Sequence, residues 1–434
     1  MRNLNPLRNL YNQYNLSKVQ RKDMNLVIVS LACFMVYFPV TTGAPLAGFA
    51  REIGAGDFFF SILMALPLLG NLLQIFTSLI IERTGKRKAL FITFGIISRL
   101  LWAIVGIVPM LMISNVKGSI PYIIGIIALS SMCNGFMSAG FFSWMGDLIP
   151  GRMRGRYLGY RDSISTFVGL VAAIIIANLM DAMTGLKTYM VVFLVAGAFG
   201  TLDIFMFIFV TDAPMKKEKH AKLFVVLKRA IKNKGFVKYV LFWTAWFFTF
   251  NMANPFYNMY ALGPLGLTFT QVAIAGQVAY SVTALLVSPR WGGQLDRHGH
   301  QWVLYRAGLA ICIVPLVWLF ASKGSMWPFL IFSMGTGLFL CGINTTAAQM
   351  LMTATPEKNR SMHIAIYLLV TSLVGTMAGY LFGGAMLELL GDVTLKFGFI
   401  TMDRYKIIFT CAAILRLLVL IFLLPGLKQL KNDA

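Results

Sequence analysis

Three ionisable side chains lie deep inside long apolar stretches: Arg99, Asp203 and Arg416. A charge in hydrocarbon is costly, and such residues mark pathways or proton relays unless a partner neutralises them. Arg99 sits about 11 residues (~17 Å) and Asp203 about 9 residues (~13 Å) from the same end of their stretches, at helical rise. An arginine side chain bridges that difference, so the two are expected to pair, as a structural ion pair or as a coupling site. Four other stretches carry polar faces at helical spacing: Tyr37, Thr41 and Thr42; Ser131, Asn134 and Ser138; Thr244, Asn251, Asn254 and Asn258; Thr345 and Gln349 beside Asn344. A water-filled cavity and interhelical hydrogen bonding both account for such faces. Asn254-Pro255 also breaks a helical ladder and frees a carbonyl. Trp243, Trp246 and Tyr257 nearby suit stacking on a planar solute and are equally ordinary membrane-helix residues.

Other chemistries find no residues here. The four histidines (His220, His298, His300, His363) show no metal-ligand spacing, and none of the five cysteines forms CxxC. No G-x-x-x-x-G-K-[ST] occurs, which removes an ATP-driven pump. No catalytic group, metal or cofactor is expected, and the chain does not read as an enzyme.

The elements that must position these residues follow from composition. Of 434 residues, 58% are hydrophobic and 12% charged, with Lys+Arg 38 against Asp+Glu 16. Soluble domains carry roughly twice that share of charge. The apolar residues come in blocks long enough to cross a bilayer, so the basic excess does not read as nucleic-acid binding. Twelve spans are expected: from Met24 to about residue 50, then near 57–81, 89–114, 121–147, 161–183, 188–211, 236–262, 268–289, 302–322, 327–352, 362–390 and 403–427. With the N-terminus inside, 29 of the 38 basic residues fall on one face. The positive-inside rule then places both termini in the cytoplasm and requires an even number of spans. The expected organisation is an N-terminal arm (1–24), a six-helix bundle (25–211), a basic linker (212–235) with an amphipathic helix or a solvated tether, a second bundle (236–427) and a tail (428–434).

The halves repeat. Glu82-Arg83-Thr84-Gly85 follows the second span and Asp296-Arg297-His298-Gly299 follows the eighth. Pro150 and Arg154 follow the fourth span, and Pro356 and Arg360 follow the tenth, at an offset of 206. The same offset takes Gly169, Ala173 and Ala177 onto Gly375, Gly379 and Gly383, two stripes that allow close helix approach.

With these features the chain resembles the major facilitator superfamily of secondary transporters over nearly its whole length. That family's loop motif is G-x-x-x-D-R-x-G-R-K. The second copy here runs from Gly292 through Asp296 and Arg297 to Gly299. The first reads Ser78 and Glu82 in place of its glycine and aspartate, followed by Arg83, Gly85, Lys86, Arg87 and Lys88. Trp144 through Gly159 looks like the loop after the fourth helix of bacterial members. The resemblance implies an all-α integral membrane fold of twelve transmembrane helices in two pseudo-symmetric six-helix bundles. It implies that the first, fourth, seventh and tenth helices line a central cavity. The solute contacts are then Tyr37, Thr41, Asn134, Ser138, Trp243, Trp246, Asn251, Asn254, Tyr257, Asn258, Asn344 and Gln349. It implies a cytoplasmic gate of Glu82, Arg83, Gly85, Arg87, Asp147 and Arg154, mirrored by Asp296, Arg297, Gly299 and Arg360. Plain topology charge with incidental surface pairs, each worth ~0–1 kcal/mol, is the competing account of those loops.

The expected activity is secondary active or facilitative transport of a small organic solute by alternating access, with proton-coupled symport or facilitation read first. The expected partners are the lipid bilayer, the solute and protons; the protein is expected to be a monomer of the plasma (inner) membrane. Efflux of drugs or metabolites is the alternative. Against multidrug/H⁺ antiport, the cavity helices lack a mid-span carboxylate, and Cys133-Asn134-Gly135-Phe136 stands where the resemblance would place an arginine motif. A non-transporting sensor is a further alternative, for which the linker of ~24 residues is short.

Overall fold

The computed structural model describes residues 6–212, 233–355, 360–397 and 400–427. Among the described residues, eleven helices are long and apolar enough to cross a membrane. A twelfth lies between the sixth and eighth, in two pieces, Lys234–Asn251 and Phe256–Leu262. Pro255 at the junction cannot donate to the ladder, which divides the seventh span where the sequence predicts.

The N-terminal arm differs from expectation. Pro6–Gln13 is a helix, and its Leu10 and Tyr11 join a buried cluster with Met24, Trp144 and Tyr157. Tyr11 donates to Asn25 Oδ1 at 2.9 Å. Burial pushes the Tyr11 hydroxyl up to about 12, so it keeps its proton. The first span starts at Lys18 because Ser17 and Gln20 form a capping box. The linker lies outside the described residues except at its ends, as does the C-terminal tail. A two-stranded hairpin, Thr394–Phe397 paired with Ile400–Asp403, is an addition to the all-α expectation between the eleventh and twelfth spans.

The chain divides into two compact units. In the first, the third span (Arg87–Leu111) packs on the fourth (Ile120–Leu148) and sixth (Leu186–Met206). The first (Lys18–Thr42) packs on the fifth (Arg154–Ala182) and sixth. The second unit repeats this pattern. The ninth span (His300–Ile313) packs on the tenth (Trp327–Ala354) and twelfth (Arg404–Leu423), and the seventh packs on the eleventh and twelfth. The halves therefore repeat in packing as well as in sequence.

Ala55–Ala65, the start of the second span (Asp57–Thr84), clusters with the second unit. Arg404 Nη2 lies 3.0 Å from Asp57 Oδ2, and the Tyr405 hydroxyl donates to Asp57 Oδ1 at 2.6 Å. Phe60 meets Phe256 edge-on. Pro67 lies just past the boundary, where it removes one hydrogen bond from the helix.

The glycine stripe of the eleventh span lies against the seventh. A Cβ at Gly383 would collide with the Met252 carbonyl oxygen, and one at Gly379 would lie 2.6 Å from that of Phe248. In the first unit Gly169 meets only the Met35 side chain, at 3.4 Å. The two stripes match in sequence, and Gly379 and Gly383 of the second bring backbones together.

Candidate functional site

In the first unit a buried polar cluster joins the first, third and sixth spans. Arg99 Nη2 stands 3.7 Å from Asp203 Oδ2, with the two residues 4% and 5% exposed. Ser30 donates to Asp203 Oδ1. The Arg99 guanidinium lies over the Tyr37 ring at 4.2 Å and the Phe34 ring at 5.1 Å. Gly200 makes room, since a Cβ there would sit 2.9 Å from both Arg99 Cδ and the Tyr37 ring. The carboxylate thus has a cation and a hydroxyl, and the cation two aromatic faces. These contacts compensate the charges in a low-dielectric interior, although Arg99 Nε has no hydrogen-bond partner among the described residues. Such a cluster can hold a proton or release one when a neighbour moves. Ser30 and Phe34 escape a search for polar stripes. Asking which first-span side chains share the depth of Asp203 finds them.

The twelve cavity residues separate into two groups. Asn134, Ser138, Asn254 and Asn258 are half-buried, and Asn344 and Gln349 are exposed. The other six are buried. Tyr37 is the platform under Arg99. Thr41 donates to the Phe38 carbonyl of its own helix at 3.2 Å. Trp243 and Trp246 pack with Phe242 in the second unit's core. Asn251 donates to the Phe247 carbonyl and to Thr376 Oγ1. Tyr257 stacks on Trp318 and lies 4.5 Å from the Phe409 ring. In each case the side chain is covered by helix packing, and the buried Nε1 of Trp243 has no hydrogen-bond partner among the described residues.

Of the gating set, the side chains of Glu82, Arg83, Asp147 and Arg360 lie outside the described residues. Gly85 and Gly299 end their helices with φ of +68° and +79°, a left-handed conformation that a side chain would strain. Both donate back four residues, to Ile81 and Leu295. The doubled motif therefore builds the same turn twice. Arg87 is buried and stands 3.3 Å from Asp212 in its own unit. Beside it, Lys88 Nζ donates to the Ile208 and Val210 carbonyls and Trp144 Nε1 to that of Thr211. These three side chains meet the end of the sixth span. Arg154, Asp296 and Arg297 are exposed.

A sequence profile described as the Major Facilitator Superfamily matches residues 26–277 and 247–432. Among curated proteins, a multidrug resistance protein, MdtG, of Serratia proteamaculans (strain 568) is 31% identical over 156 residues, 34% of this chain and 37% of that protein. The protein of the same name from Salmonella typhi is 31% identical over 157 residues, 35% of this chain and 37% of its own. The chain thus aligns with little more than a third of the length of these curated relatives. Among solved structures, a mutant of the nucleoside transporter NupG superposes with a TM-score of 0.72 at 10% identity, covering 93% of this chain and 99% of its own. A bacterial homologue of the lysosomal transporter Spinster, inward-facing and unoccupied, gives 0.66 at 13% identity over 98% of both chains. At these identities the likeness is one of fold.

Proposed function

Because the chain belongs to the Major Facilitator Superfamily, we propose that it is a secondary transporter moving a small organic solute across the membrane by alternating access. The observation that carries the reading is the buried Arg99–Asp203–Ser30 cluster at the meeting of three spanning helices. A bilayer protein keeps an ionisable pair at such depth where a charge or proton is handled. We propose Asp203 as the proton-coupling group, and Asn134, Ser138, Asn254, Asn258, Asn344 and Gln349 as the solute contacts. These six keep accessible surface and offer amide and hydroxyl groups, which suit a neutral polar solute better than a lipophilic cation. The gate is assigned to Glu82, Arg83, Asp147 and Arg154 with Asp296, Arg297 and Arg360. The protein acts as a monomer, with both termini on the cytoplasmic side of the plasma membrane.

Export is the second reading, favoured by the partial likeness to MdtG, named as a multidrug resistance protein. The test is uptake of a panel of labelled nucleosides, sugars, amino acids and cationic dyes into proteoliposomes, with and without a pH gradient. Accumulation of a polar solute that follows the gradient supports the first reading. Dye movement against the proton gradient supports the second. A folded preparation that moves no compound on the panel counts against both.

A further inference from the structure

Arg416 is 1% exposed, and among the described residues no carboxylate pairs with it. A buried cation without an acid must be held by other oxygens. Two backbone carbonyls do this: Nη1 donates to Ile311 O at 3.0 Å and Nη2 to Thr249 O at 3.2 Å. Both are acceptors that a broken helix leaves over. In the ninth span the residue four beyond Ile311 is Pro315, which has no N–H to offer. In the seventh, Thr249 is in the last turn of Lys234–Asn251, where carbonyls lack intrahelical donors. The guanidinium also lies 4.9 Å from the centre of the Phe250 ring, beside the Tyr257 hydroxyl.

The first unit gives the comparison. At its corresponding joint, of the first, third and sixth spans, the buried arginine comes from the third span and is answered by Asp203. At the joint of the seventh, ninth and twelfth, the arginine comes from the twelfth, and interrupted ladders supply the negative ends. We infer that Arg416 is a positioning residue: it pins the breaks of the seventh and ninth spans to the twelfth. The interruption at Met252–Pro255 is then a fixed bend, which holds Asn254 and Asn258 in one orientation whatever the solute. A proline break in a spanning helix would otherwise act as a hinge.

The test is amide hydrogen exchange of the full-length protein in nanodiscs, followed by mass spectrometry. In Arg416→Met, exchange over residues 249–256 rises about ten- to hundredfold, as expected when a charged hydrogen bond is lost. The first unit keeps its protection and the unfolding temperature falls little. Arg416→Lys, whose ammonium reaches one carbonyl, is intermediate. Adding Pro315→Ala to Arg416→Met returns an N–H to Ile311 O; protection recovers in the ninth span and not in the seventh. Unchanged exchange at the break, or a uniform rise across the second unit, overturns the inference. Should Arg416→Met fail to fold, Arg416→Lys and Pro315→Ala decide it by the same readout.

Discussion

Arg99 and Asp203 are each tolerable in the membrane because of the other. Asp203→Leu leaves a buried guanidinium with aromatic faces and no counter-charge, which should destabilise the protein by about 3–5 kcal/mol. The double variant Arg99→Met/Asp203→Leu removes both charges and should recover most of that loss in thermal unfolding. A double variant as unstable as the single would show that the pair matters little. Asp203→Asn keeps an acceptor for Ser30 but removes the counter-charge of Arg99, so its thermal unfolding is measured beside its transport. If Asp203 carries the proton, uptake by this variant loses its dependence on the pH gradient while the protein stays folded. Retention of that dependence removes Asp203 as the coupling group and leaves a structural pair.

Two elements depend on close approach. The eleventh span meets the seventh through Gly375, Gly379 and Gly383, and a methyl at Gly383 falls on the Met252 carbonyl oxygen. Gly383→Ala should cost about 1–3 kcal/mol, because the backbone there has no flexible side chain to yield. Gly292→Ala is the control: nothing lies within 4 Å of its Cβ position, so the change should be neutral or slightly stabilising. Equal effects at both positions would remove the packing argument. The second element is the start of the second span, held by Arg404 and Tyr405 at Asp57. Asp57→Asn should loosen it, read as faster maleimide labelling of a cysteine placed at Ser61. Exchanging the charges, Asp57→Arg with Arg404→Asp, should slow labelling again.

At the scale of the whole molecule we propose that the basic excess sets the orientation in the membrane. With the native cysteines replaced, a cysteine at Arg152 should label only from the cytoplasmic side and one at Lys323 only from outside. The reverse result inverts the topology. Spans, repeat and family were legible in the chain because each depends on local or periodic features: apolar length, spacing of small residues, and a loop motif that occurs twice. Burial of Trp243, Trp246 and Tyr257 was not legible. A spanning helix presents aromatic residues on every face, and only its neighbours decide which face is covered. The Asp212 partner of Arg87 was not legible in the motif, because 125 residues separate the two. The halves of the second span went to different units because Asp57 finds its partners nearly 350 residues away, at Arg404 and Tyr405. Sequence by itself determined that this is a twelve-span membrane protein of repeated halves, since hydropathy and motif spacing are properties of the chain. Which buried charge meets a carboxylate and which meets a broken backbone was decided by tertiary structure alone, because that depends on what packs beside it.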